Sequence, residues 1–143
     1  EVKAKKRYST TSVIVALTLS APFFAIMFGG TFKDSLVAFV IMAIQAAFIT
    51  FTSKYKLTLF VSNFLGAFIA TVLVLLLNKI LLIHNPFSII IMSLMPLVPG
   101  VQVTNAVRDF MAGDYLSGMI GIQAAIFVST AIALGVVMGL KLV

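Results

Sequence analysis

The residues best equipped for chemistry in this chain lie close together: Thr104, Asn105, Arg108, Asp109 and Asp114. A guanidinium presents a planar fork that matches a carboxylate, and hydroxyl and amide side chains hydrogen-bond polar substituents. A carboxylate within an apolar segment can exchange a proton or hold an ammonium group. Just before them stand Pro96, Pro99 and Gly100. Two prolines three residues apart remove backbone donors and clash with the preceding turn, so a regular helix is predicted to break here. In hydrocarbon such a break is tolerated only where protein buries it or water reaches it. A helix restarting after Pro99 aims unpaired amides and the positive end of its dipole back at the break, an arrangement suited to a carboxylate. The expected substrate contacts are Gly100, Thr104, Asn105, Arg108 and Asp109, with Asp109 and Asp114 as proton-coupling candidates. Asp114, in a turn after Gly113, equally fits as the cap of the next helix.

The element that must position these groups is amphipathic. At about 100° per residue, Gln102, Thr104, Asn105, Arg108 and Asp109 share roughly half of a helical wheel, and Val103, Ala106, Val107, Phe110 and Met111 share the other. An alternative is a helix lying flat at the membrane interface.

Composition sets the class. The 143 residues are 62% hydrophobic and 10% charged, with a mean hydropathy of +1.19, which describes an integral membrane protein. Without cysteine there is no thiol chemistry or thiolate metal site, and His84 is the only histidine, so no metal site or cofactor is expected. The net charge of +6 does not point to nucleic acid, because the basic residues sit in short connections between apolar runs.

The fold class expected is all-α integral membrane, with about five transmembrane helices. Residues 1–10 form a basic flank carrying Lys3, Lys5, Lys6 and Arg7, and residues 11–143 a single five-helix domain. The first span, Thr11 to Phe28, should kink at Pro22 and end at Gly29 and Gly30. Lys33 and Asp34 mark a tight turn before a second span, Ser35 to Thr52, in which Gln45 reads as a helix-to-helix hydrogen bond. The third span, Leu57 to Leu77, carries Asn63 and a small-residue face at Gly66 and Ala70. Asn78 and Lys79 begin an interfacial connection reaching Pro86, with His84 a solvated loop residue. The fourth run, from Phe87, spans only if the piece to Met111 is added, making it discontinuous; a re-entrant pair is the competitor. The fifth, Leu116 to Leu140, presents Gly135 and Gly139 as a contact surface for another copy or a complementary membrane unit. With the amino terminus cytoplasmic, Lys3, Lys5, Lys6, Arg7, Lys54, Lys56 and Arg108 lie inside against Lys33, Lys79 and Lys141 outside, seven to three. Because the chain starts at Glu1 rather than methionine, it is expected to be a fragment or a trimmed product.

Leu97 Val98 Pro99 Gly100, then Thr104 Asn105 Ala106, Arg108 Asp109, Gly113 Asp114 and Ser117 Gly118, resembles the principal motif of the threonine/serine exporter family of bacterial membrane proteins. Phe28 Gly29 Gly30 followed by Asp34 is similar to a second, weaker family feature. The resemblance covers the five-span membrane part of the family's amino-terminal half. It implies export of threonine and serine across the inner membrane, driven by the proton gradient as an antiporter, and related two-component systems imply a dicarboxylate such as succinate. It also implies a cytoplasmic domain before these spans and a second membrane unit, fused or separate.

Partners expected are thus a small carboxylate-bearing metabolite, protons, the lipid bilayer, and a homo-oligomer or complementary subunit. A channel would show rings of filter residues or several polar helices, and only one polar helix is present. The enzyme candidate is an intramembrane aspartyl protease. Met111 stands where its Gly-x-Gly-Asp signature needs the first glycine, and Asp109 and Asp114 are about 140° apart on a continuous helix. No enzymatic activity is expected, and a non-transporting structural membrane subunit remains as an alternative.

Overall fold

The structure is a computed structural model describing residues 9–55 and 57–143. The basic cluster at Lys3, Lys5, Lys6 and Arg7, and Lys56, lie outside the described residues. Six α-helices follow in order: α1 (Thr10–Met27), α2 (Phe32–Lys54), α3 (Leu59–Leu81), α4 (Pro86–Leu94), α5 (Gly100–Met111) and α6 (Tyr115–Leu142), with a 3-10 turn at Met95–Leu97. The expected all-helical architecture is observed. By length and apolarity α2, α3 and α6 can each cross a membrane, and the bent α4–α5 pair taken as one span makes four. At 18 residues α1 is shorter than the roughly 20 that a bilayer core asks for.

Helix boundaries follow local chemistry. Gly29 (φ +85°) and Gly113 (φ +85°) supply the left-handed residue that closes α1 and α5. After α1 the Gly29 amide donates to Ile26 O and that of Gly30 to Ala25 O; after α5 the Gly113 amide donates to Phe110 O and that of Asp114 to Asp109 O. Each pair satisfies carbonyls that a helix end would leave open. Asn85 caps α4, accepting from the Ser88 amide, and Pro86 occupies the first turn, where no backbone donor is required.

Several expectations are corrected. Lys33 and Asp34 are not a turn: Thr31 caps α2, and Asp34 closes a reciprocal capping box from its first turn. Asn78 and Lys79 belong to α3, which continues to Leu81, so the connection to α4 is only residues 82–85. His84 is exposed there, as expected of a loop residue.

Helix α3 packs most extensively on α6, while α1 packs on α2, and α4 lies against α1, α2 and α3. The α3–α6 seam depends on absent side chains: a β-carbon at Gly135 would strike the Phe64 carbonyl and stand 3.0 Å from Ala67 Cβ, and one at Gly139 would stand 2.9 Å from Thr71 Cβ. Gly135 and Gly139 therefore pack within the chain and do not form a free contact surface, because α3 supplies the matching small residues. The register is parallel. It sets Phe60 beside Phe127, with ring centroids 4.8 Å apart. The first twelve residues of α6, Tyr115 to Ile126, thus precede the level at which α3 begins, a length of about 18 Å at 1.5 Å per residue. Alongside this stretch runs α5, antiparallel, with Phe110 over Gly118 and Ala106 over Gly121. α5 makes no comparable contact with α1 to α4.

Candidate functional site

The break is narrower than Pro96 to Gly100. Pro96 and Leu97 continue the chain as the 3-10 turn, only Val98 and Pro99 leave helical geometry, and Gly100 already begins α5. The two helical pieces meet at a bend of 53°. A bend of that size leaves both running in the same general direction, as in a broken span, whereas a re-entrant pair turns back on itself. The 3-10 turn explains the difference from expectation: i to i+3 bonding tolerates Pro96 near its start, and the Val98 amide closes it on Met95 O at 3.3 Å.

Beyond the bend the first turn of α5 is only half satisfied. The Gly100 amide donates to Val98 O (2.8 Å) and the Val103 amide to Pro99 O (3.1 Å). Among the described residues the amides of Val101 and Gln102 have no such acceptor. Both residues help to line a cavity of about 250 Å³, together with Asn63, Pro96, Pro99 and Val128. A neighbouring cavity of about 330 Å³ shares Asn63, Pro96 and Leu97 and extends to Thr52, Ser53 and Ser62 on α2 and α3. Asn63 is 7% exposed, and its amide nitrogen donates to Leu59 O at 2.7 Å.

Two carboxamides near the break are left incomplete. Among the described residues the buried Oε1 of Gln102 and the buried Nε2 of Gln45 have no hydrogen-bond partner. Gln45, 1% exposed, meets Leu97 across Gly66, where a β-carbon would stand 3.2 Å from each of them. The expected helix-to-helix hydrogen bond from the Gln45 amide nitrogen is thus not made. Gly66 instead admits α2 and the 3-10 turn to the same point of α3. An unpaired buried amide is costly, and the wall of a polar cavity is a place where a ligand or water can satisfy it.

The other expected site residues are not gathered at this cavity. Ala106 is the buried residue of α5, and Thr104 and Arg108, two residues to either side, are turned about 160–200° away from it. Thr104, Asn105 and Arg108 are exposed and Asp109 partly so. Thr104 Oγ1 donates to Gly100 O at 2.9 Å, within its own helix. Asp114 caps α6: its carboxylate accepts from Ser117 Oγ at 2.7 Å and from the Ser117 amide at 3.1 Å. Those two bonds, the hydroxyl first, hold its carboxyl below the ordinary range. Asn63, Gln45 and Gln102 were visible in the sequence as polar residues in apolar runs, but no spacing rule links three different helices.

A second polar cluster lies at the other end of the bundle. The Asp34 carboxylate, 1% exposed, accepts from the amides of Thr31 (2.8 Å) and His84 (3.1 Å), so it ties the start of α2 to the α3–α4 loop.

These features define a multi-pass α-helical membrane protein with a discontinuous helix whose break lies beside a cavity that Asn63 and Gln102 help to line. The family described as "Putative threonine/serine exporter" matches over residues 1–143, and the chain belongs to it. No curated protein and no solved structure matches the chain.

Proposed function

We infer that this chain is one membrane unit of a proton-coupled antiporter that exports threonine and serine across the plasma (inner) membrane, its amino terminus cytoplasmic. The observation carrying this reading is the first turn of α5, where among the described residues the amides of Val101 and Gln102 lack a backbone acceptor and both residues line the 250 Å³ cavity. A carboxylate placed there gains two backbone donors and a favourable dipole. Asn63 and Gln102 then offer hydrogen bonds to the ammonium and hydroxyl groups of a small amino acid.

Export continues along α5. Thr104, Asn105 and Arg108 carry the substrate toward the end of the helix, and Asp109, the carboxylate on that helix, exchanges the coupled proton. Asp114 is the weaker proton carrier, since both its oxygens are engaged by Ser117. A second membrane unit completes the path, because among the described residues Thr104, Asn105 and Arg108 are left exposed, with nothing to shield them from lipid.

The test is export of labelled threonine, serine and succinate from vesicles containing the complete system. Asn63→Ala, Gln102→Ala, Arg108→Gln and Asp109→Asn are compared at equal insertion. The expected result is loss of threonine and serine export in Asn63→Ala and Arg108→Gln, and loss of its dependence on the proton gradient in Asp109→Asn. Undiminished export by all four removes this site from the mechanism, and preferential export of succinate assigns the cavity to a dicarboxylate.

A further inference from the structure

The hairpin of α5 and the first twelve residues of α6 extends past the start of α3, and its most extensive packing is internal. Its surface is unsuited to isolation. Met111 is 86% exposed and Val101 76%, yet Asn105 and Arg108 are exposed on the same helix. Lipid does not cover the amide and the guanidinium without cost, and water does not cover the apolar residues without cost.

One stripe of this surface has a regular spacing. Val101, Asn105, Arg108 and Ala112 follow at intervals of four, three and four residues, and all four are exposed. That is the spacing by which one helix seats against another along a single seam. Asn105 lies within this stripe, and Arg108 and Asp109 flank its position about 50° to either side. A two-fold axis parallel to the membrane normal keeps every residue at its own depth and exchanges left for right. It therefore brings Asn105 against its own equivalent, and Arg108 of one copy against Asp109 of the other, which differ in depth by about 1.5 Å. A carboxamide both donates and accepts, so Asn105 is complementary to itself.

We propose that α5 is the seat of a second copy of this chain, packed α5 to α5 along Val101, Asn105, Arg108 and Ala112, with each copy's Asp109 paired to the other's Arg108. The proposal deepens the exporter reading and rests on it in one respect: the second copy supplies the carboxylate facing Arg108 and closes the open side of the export path. Charge complementarity selects the occupant. The same face that exposes a cation carries an anion one residue on, so an identical face neutralises it without any foreign sequence.

The chain has no cysteine, so single cysteines report proximity without background. Asn105→Cys and Val103→Cys are introduced separately into the full chain in native membranes and oxidised. Asn105→Cys is expected to give a disulfide-linked dimer of this chain. Val103→Cys, about 160° away around α5, stays monomeric. In the Asn105→Cys background, Arg108→Asp and Asp109→Arg each lower the dimer yield by about tenfold or more, and the two together restore it. Should a reversed-charge variant fail to insert, the comparison of Asn105→Cys with Val103→Cys on the native helix decides alone. Dimers at Val103→Cys but not Asn105→Cys, monomers at both, or linkage of Asn105→Cys only to a different membrane protein overturn the proposal. Cross-linking needs no transport, so a cross-linked dimer that exports nothing would overturn the exporter reading and leave the α5 seam standing.

Discussion

Replacing Gly135 by valine tests whether α3 and α6 sit at a distance that only glycine permits. A β-carbon there would meet the Phe64 carbonyl, and would stand 3.0 Å from Ala67 Cβ and 3.1 Å from the Phe68 amide nitrogen. Ordinary contact begins at 3.4 Å, so Ala67 alone demands a retreat of 3.4 − 3.0 = 0.4 Å. These atoms are backbone or an alanine methyl, and none can yield by changing rotamer. The helix itself must move, and the seam at Gly139 and Thr71, one turn on, is strained with it. Overpacking of this kind costs about 1–3 kcal/mol. Valine's two further methyls place it at the upper end, and its better helix propensity returns only about 0.3–0.5 kcal/mol. The expected net loss is therefore about 2–3 kcal/mol, read as a lowered unfolding midpoint when the purified chain is titrated with SDS in mixed micelles. A midpoint within about 0.5 kcal/mol of the unmodified chain would refute the packing argument.

Gly100→Ala is the matched contrast: its β-carbon meets nothing within 4 Å, and its φ is not positive, so the same titration should show a change of less than about 1 kcal/mol, if anything stabilising. Asp34→Ala removes the acceptor for the Thr31 and His84 amides and should destabilise by about 1–3 kcal/mol, with faster proteolysis in residues 82–85; Asp34→Asn, which keeps an acceptor oxygen, should lose less, and equal behaviour of the two would count against the tie. For Asp114 the sign follows from a lowered folded-state value: the ionised cap supports α6 fully above the unfolded carboxyl value of about 4 and loses that support as pH falls through the lower folded value. Protection of the Ser117 amide from hydrogen exchange should decline over that window and become pH-independent in Asp114→Asn; protection that stays flat in the native chain contradicts the cap.

The break and the ends at Gly29, Gly113 and Asp114 were legible in the sequence because their causes are covalent and local. Pro99 cannot donate, Gly29 and Gly113 tolerate a left-handed φ cheaply, and Asp114 carries an acceptor at the right offset from the next amides, whereas the start of α2 at Lys33 and Asp34 and the end of α3 at Asn78 and Lys79 were misread. The hydropathy that marks α2, α3 and α6 is equally local, since a bilayer acts on each segment's composition.

Which face of each helix finds which neighbour was decided by the tertiary structure. Lipid is as apolar as leucine, so hydrophobicity does not distinguish a packed face from a lipid-facing one, and close packing falls to whichever small residues can meet. That is why α5 buries the edge at Ala106 against Gly121 rather than the middle of its apolar half, and why Arg108 turns outward. It is also why Gly135 and Gly139 are taken up by α3. Asn63 and Gln102 meet at one cavity, with Gln45 close by on α2, only because a 53° bend and the absent side chain of Gly66 bring α2, α3 and the break together. Sequence periodicity states which residues share a side of one helix, and the proximity of three helices is a property of their packing alone.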